Sequence, residues 1–234
     1  MAVNLALGEF SRVIDLAGVF VNAVLGGVVA REFRMDPVGF VALAILSGLG
    51  GGVIRDTLLQ HGPPLALTDT LYVVVALVGA TVAFLIPLRA RLWSLTYPVV
   101  DALALGTWAV AGTEKTLGVG LSWLPAILLG TVSAVGGGAL RDLAVHRTPA
   151  IFGGNTLYAT CAVAASGTVV LLSRYGLAPR GELAGIVVGS GLCLLARWRG
   201  WRLGESSPAD YYLTRRKRTW RIRTRTRARR PEDP

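Results

Sequence analysis

Charge is scarce in this chain: Asp, Glu, Lys and Arg make up 16% of its 234 residues, against about a quarter in an ordinary soluble domain. Histidine, cysteine and methionine occur twice each. A metal centre or a histidine-based general-base site therefore has almost no raw material. His61 and His146 follow turn-forming residues and read as loop residues. Cys161 and Cys193 lie inside apolar segments without ligand spacing to either histidine, which predicts inert structural thiols rather than a disulfide or a zinc site. Walker, HExxH and GxSxG sequences are missing, so no enzymatic constellation is read. The first eleven residues lack a basic region, an apolar stretch and a cleavage site in that order, so no signal peptide is expected.

What the chain has instead is apolar bulk. Hydrophobic residues make up 53% of it and the mean hydropathy is +0.54, too greasy for a soluble globule. Crossing a hydrocarbon layer of about 30 Å takes about 20 apolar residues in a helix, which satisfies its own backbone groups. Seven such stretches occur, near 13–30, 38–58, 71–88, 98–112, 124–145, 157–173 and 183–196, with Pro, Gly and Arg between them. The predicted fold is an all-α membrane protein with seven transmembrane helices. Glycine is abundant at 29 residues and has no collagen period, which points to close helix packing or broken helices.

The net charge of +10 belongs to one end. From Arg197 onward there are 13 Lys and Arg against 4 Asp and Glu, leaving 11 bases and 10 acids for everything before it. By the positive-inside rule that end is expected in the cytoplasm, and seven crossings then put the N-terminus outside. Arg31, Arg34, Arg89, Arg91 and Arg147 fall on the inner side, and Arg12, Lys115, Arg174 and Arg180 on the outer, so the tail decides the topology. Segment 199–234, with Arg215-Arg216-Lys217-Arg218 and the arginine ladder after it, reads as a disordered tail attracted to anionic lipid. Trp220, Tyr211 and Tyr212 offer stacking surfaces, but RNA binding is the less favoured reading and no nucleic-acid partner is expected.

Comparison of the chain with itself is more informative. Gly50-Gly51-Gly52-Val53-Ile54-Arg55-Asp56 recurs as Gly136-Gly137-Gly138-Ala139-Leu140-Arg141-Asp142, a shift of 86 residues. The same shift, without a gap, pairs Asp15 with Asp101, Ser47 with Ser133, Pro63 with Pro149, and Thr70-Leu71-Tyr72 with Thr156-Leu157-Tyr158. Asp69 falls on Asn155, and both suit the N-cap of the following helix. Each copy holds three crossings, so the second enters upside down: two inverted three-helix repeats plus a seventh helix. The expected divisions are an N-terminal segment 1–12, repeats at 13–96 and 97–180, the last crossing at 181–198 and the tail.

Sites in inverted-repeat folds lie near the midplane, where Gly- or Pro-interrupted helices meet. Here those helices are the second and fifth, with candidate kinks at Gly50, Gly51, Gly52, Gly136, Gly137 and Gly138. The plainer alternative is that Gly48 and Gly52, spaced G-x-x-x-G, let a neighbour approach. Arg55, Asp56, Arg141 and Asp142 are ionisable at membrane depth, where an uncompensated charge costs at least about 2.5–3.5 kcal/mol. Neighbours in sequence point about 100° apart on a helix, so neither Arg-Asp pair is expected to bridge to itself. Cross-pairing between repeats is one alternative, and anchoring of the arginines at lipid phosphates another. Asp15 and Asp101 are placed near helix starts, where capping is the alternative to a pore role. With Asn22, Ser47, Thr107, Thr131 and Ser133 they give a candidate polar path. Glu114 and Lys115 read as a solvated loop pair.

The two G-G-G-x-x-R-D motifs, at 50–56 and 136–142, resemble those of the prokaryotic trimeric intracellular cation channels, a family also catalogued as glycine-transporter-type or uncharacterised membrane proteins. The resemblance covers about 13–196. It implies a homotrimer with one pore per subunit, lined partly by kinked second and fifth helices and conducting potassium and sodium. It places both glycine triplets and both Arg-Asp pairs near that pore. Animal members carry a basic voltage-sensing element in the fourth helix, and 98–112 has no Lys or Arg. The expected function is a passive monovalent cation channel of the bacterial inner membrane, without resident metal or cofactor. The alternatives are a secondary transporter of a small solute such as glycine, and a structural or lipid-binding membrane protein.

Overall fold

The computed structural model describes residues 2–86, 90–152 and 157–201, and within them every long element is a helix. In chain order these are α1 (Ala2–Glu32), α2 (Pro37–Leu59), α3 (Leu65–Thr68), α4 (Thr70–Leu85), α5 (Ala90–Gly118), α6 (Trp123–Ala144), a 3-10 turn at Ala150–Phe152, α7 (Tyr158–Arg174) and α8 (Ala178–Arg199). Setting aside the short α3, the helices supply seven crossings. Residues 202–234 of the expected tail lie outside the described residues, as does the predicted cap Asn155.

The helices end where local chemistry stops them. Asp36 accepts a hydrogen bond from the Gly39 amide at 2.8 Å, with Pro37 in the first turn of α2. Asp69 accepts from the Leu71 amide at 3.1 Å and caps α4, as the sequence predicts. Gly200 closes α8 with φ 64°, a conformation natural to glycine. Two predicted boundaries move. The segment set apart as 1–12 is continuous with α1, and the fourth crossing, read as 98–112, runs from Ala90 to Gly118 with Pro98 inside it.

α1, α2 and α4 form one repeat; α5, α6 and α7 form the other; α8 packs on α5 and α7. After α2 the chain makes the short helix α3, and after α6 the 3-10 turn at the matching place. Small residues let the helices approach: Ala23, Ala44, Ala76, Ala109, Ala162 and Ala165 are wholly buried. At 16 residues α4 is about 24 Å long. Its last carbonyls are met from another helix: Arg31 of α1 donates to the oxygens of Ala83 and Phe84 at 2.6 and 2.7 Å.

The two repeats meet where α2 crosses α6, on the glycine triplets. A methyl group added at Gly51 would fall 2.2 Å from the Ser133 carbonyl oxygen; one at Gly137 would fall 2.3 Å from that of Ser47. The Gly136 position is 3.0 Å from the Gly51 Cα, and the Gly50 position 3.4 Å from the Gly137 Cα. Gly52 and Gly138 are different, since a methyl there meets only the guanidinium of Arg55 or Arg141, at 3.8 Å. Both helices are continuous through their glycines, and Gly50, Gly51, Gly136 and Gly137 make a backbone-to-backbone crossing. Gly51→Ala and Gly137→Ala should each destabilise the protein by about 1–3 kcal/mol through overpacking, while Gly52→Ala should be nearly neutral. Thermal unfolding of the three purified variants in detergent checks this, and equal melting points for all three would remove the crossing argument.

Candidate functional site

On either side of the crossing lies a chamber. The first, of about 150 Å³, is bounded by Asp15, Gly52, Arg55, Asp56, Leu65, Tyr72, Trp108, Lys115 and Ser133. The second, of about 90 Å³, is bounded by Asn22, Tyr97, Asp101, Gly138, Arg141, Asp142, Ile151, Tyr158, Cys193 and Arg197. The 86-residue shift carries Asp15, Gly52, Arg55, Asp56, Leu65 and Tyr72 of the first onto Asp101, Gly138, Arg141, Asp142, Ile151 and Tyr158 of the second. The same relation carries Asn22 onto Trp108. Lys115 stands near the end of α5 and Tyr97 near its start, 18 residues or about 27 Å along the axis. The chambers are thus one cavity written twice and set at opposite ends of the bundle. Each sets a few charged and hydroxyl groups in a largely apolar wall and has room for several waters.

In the first chamber Asp56 is the organising group. It accepts from Arg55 Nε at 2.7 Å and Lys115 Nζ at 2.8 Å, and its second oxygen accepts from the Leu65 amide at 2.9 Å, which ties α3 to α2. Arg55 reaches across the crossing and donates to Ser133 Oγ at 3.1 Å. Arg55 and Asp56 are buried, so each charge depends on the other for compensation. Asp15 takes a different set of partners, all neutral: the Tyr72 hydroxyl and Trp108 Nε1, the latter at 2.5 Å. Neutral donors hold and orient a carboxylate without cancelling its charge.

The second chamber repeats the pattern with local changes. Arg141 donates to Asp142 Oδ1 from Nε and Nη2 at 3.0 and 2.9 Å. Asp101 accepts from the Tyr158 hydroxyl at 3.1 Å and also from Tyr97. The Arg197 guanidinium lies over the Tyr97 ring, 5.6 Å from its centre. Ser47, the counterpart of Ser133, is wholly buried, and its hydroxyl has no hydrogen-bond partner among the described residues. The crossing is therefore symmetric in its backbone and asymmetric in its hydrogen bonds.

Several sequence expectations change here. Each Arg-Asp pair does bridge to itself: the long arginine side chain curls back onto its neighbour and spans the 100° that separates their Cβ directions. The alternative cross-pairing between repeats is replaced by the Arg55–Ser133 bond. Asp15 and Asp101 are not caps, because both sit well inside α1 and α5. Thr107 and Thr131 donate to the carbonyls of Leu103 and Ile127 in their own helices and border neither chamber, while Asn22, which donates to the Gly18 carbonyl, borders the second. Lys115 is no loop residue, since α5 carries it into the first chamber. Ending the fourth crossing at Gly112 hid it, since Lys115 lies three residues beyond that point and three before the helix end at Gly118. The 86-residue shift gives Trp108, Tyr97 and Arg197 no matching residue type, and it marks Tyr72 and Tyr158 only as a repeated pair. Cys161 and Cys193 are free and buried.

Comparison with known proteins follows the same duplication. The family model described as "Glycine transporter" matches residues 12–87 and again 98–174, one copy per repeat. A UPF0126 membrane protein of Deinococcus radiodurans is 35% identical over 82% of this chain and 88% of its own. The Escherichia coli UPF0126 inner membrane protein YadS is 34% identical over 64% of this chain and 72% of its own. Among solved structures, a TRIC cation channel is 26% identical with a TM-score of 0.77, covering 84% of this chain and 97% of that one. The TRIC trimeric intracellular cation channel orthologue from Rhodobacter sphaeroides is 29% identical with a TM-score of 0.71, covering 82% and 99%. These relatives are membrane and channel proteins rather than enzymes. With both repeats matched and the fold reproduced nearly end to end, the chain belongs to the duplicated glycine-transporter-type (UPF0126) membrane-protein family, and its fold is that of the TRIC cation channels.

Proposed function

We propose that the protein is a passive cation channel of the bacterial inner membrane, with potassium and sodium as its permeant ions. The observation that carries this reading is the pair of Asp-bearing chambers, aligned at opposite ends of one bundle and divided by a single glycine crossing. A cation path needs carboxylates and oxygen ligands at each mouth and a narrow middle. Asp15 and Asp101 serve as the cation-attracting groups, Ser47 and Ser133 as hydroxyls beside the crossing, and the two glycine triplets as the narrowest point. Conduction requires α2 and α6 to part there, which glycines without side chains permit at low steric cost. The likeness to solved TRIC channels supports the same activity.

On this reading the functional units are repeats 13–96 and 97–180 with the last crossing at 181–198. The assembly is a homotrimer with one pore per subunit, as the description of the Rhodobacter sphaeroides relative supports. Arg31, Arg34, Arg147, Arg197 and Arg199 gather at the helix ends on the side where α8 finishes, which favours a cytoplasmic C-terminus and an external N-terminus. The basic tail contacts anionic lipid headgroups there.

The family model's own description favours a second reading, a transporter of glycine. Protein in liposomes under a potassium gradient separates the two. A channel gives a current whose reversal potential tracks that gradient, whereas saturable glycine uptake without current would replace the channel reading. Asp15→Asn and Asp101→Asn should each lower potassium conductance by about three- to tenfold, by removing the charge that concentrates cations in its chamber. Unchanged conductance in both folded variants would remove the carboxylates from the path.

A further inference from the structure

The duplication accounts for only three of the four charges in each chamber. Asp15, Arg55 and Asp56 map onto Asp101, Arg141 and Asp142, which leaves one net negative charge per chamber. Among the described residues each chamber then gains one more base, and the two bases are unrelated by the repeat. Lys115 comes from the end of α5 and matches Trp201, while Arg197 comes from the end of α8 and matches Ala111. Two different helices have thus brought both chambers to neutrality. The contacts are direct on one side and relayed on the other. Lys115 Nζ lies 2.8 Å from Asp56 Oδ1, and Arg197 stacks on Tyr97, which hydrogen-bonds Asp101.

We propose that Lys115 and Arg197 are tethered counter-cations that set, each from its own side, how strongly its chamber holds a mobile monovalent cation. The proposal rests on the channel reading and adds to it the residues that determine occupancy and selectivity. An ammonium group against Asp56 stands where a potassium ion would otherwise neutralise that carboxylate. With the tether in place the chamber is neutral, and it binds a permeant ion weakly enough to release it. Without the tether the chamber carries a net negative charge in a low-dielectric setting, where one charge strongly raises local cation concentration.

The test uses the full chain with Lys115→Met and Arg197→Met, both close in length to the native side chains but uncharged. In planar bilayers with symmetric low potassium chloride, where screening is weak, Lys115→Met should raise current entering from the α3 end by about two- to fivefold relative to the reverse current. Arg197→Met should rectify in the opposite sense, and Lys115→Arg should rescue most of the shift seen in Lys115→Met. A merely structural role would lower both directions alike. Binding of radioactive rubidium to the detergent-purified proteins gives a second readout that needs no current. Lys115→Met should bind rubidium more tightly than the wild type, even if the wild type proves not to conduct, which would reject the channel reading alone. Equal rubidium affinity, or rectification of both variants in one sense, would overturn the proposal.

Discussion

Two backbones in contact define this molecule. Where α2 crosses α6, carbonyl oxygens of one helix lie against the Cα atoms of the other, at a separation that no side chain larger than hydrogen allows. In lipid there is little hydrophobic force to draw helices together, so dispersion between closely approaching backbones must do it, and small residues make that possible. The crossing also fixes everything around it. The third glycine of each triplet turns away from the partner helix and leaves space over the following arginine, so the sequence that closes the middle also opens a chamber beside it.

The charged groups are arranged to survive at this depth. Asp56 draws on two cations and an amide; Asp15 and Asp101 are held by tyrosine hydroxyls with an indole or a second phenol. Satisfying a carboxylate with neutral donors keeps its field available to whatever enters the chamber, whereas pairing it with a base spends that field locally. Both solutions occur in each copy of the repeat. The asymmetry between Ser133, bonded to Arg55, and Ser47, unbonded, shows that the copies have drifted apart in their side chains while the backbone frame remained shared.

The fold was largely legible in the sequence because membrane crossing leaves long apolar runs, and because a gap-free repeat with an odd number of crossings has to be inverted. The site was legible only in part. Repetition marked Asp15, Arg55 and Asp56 and their mates, since charged residues in one register stand out against an apolar background. It was silent on Lys115 and Arg197, which have no charged mates at the 86-residue shift. Counting apolar residues also underestimates helix length: α5 extends six residues past Gly112, far enough to bring Lys115 within reach of Asp56. Self-pairing of Arg55 with Asp56 was hidden for another reason, since Cβ directions say little about where a flexible guanidinium ends.

Helices α4 and α7 occupy the same place in the two repeats and are short, at 16 and 17 residues. At about 24–26 Å each is shorter than a hydrocarbon layer of about 30 Å, a mismatch absorbed by local thinning, snorkelling side chains or association at fractions of a kcal/mol per ångström. Because the repeats are inverted, that mismatch recurs on two flanks of the bundle, and a thinner membrane lowers its elastic cost on both.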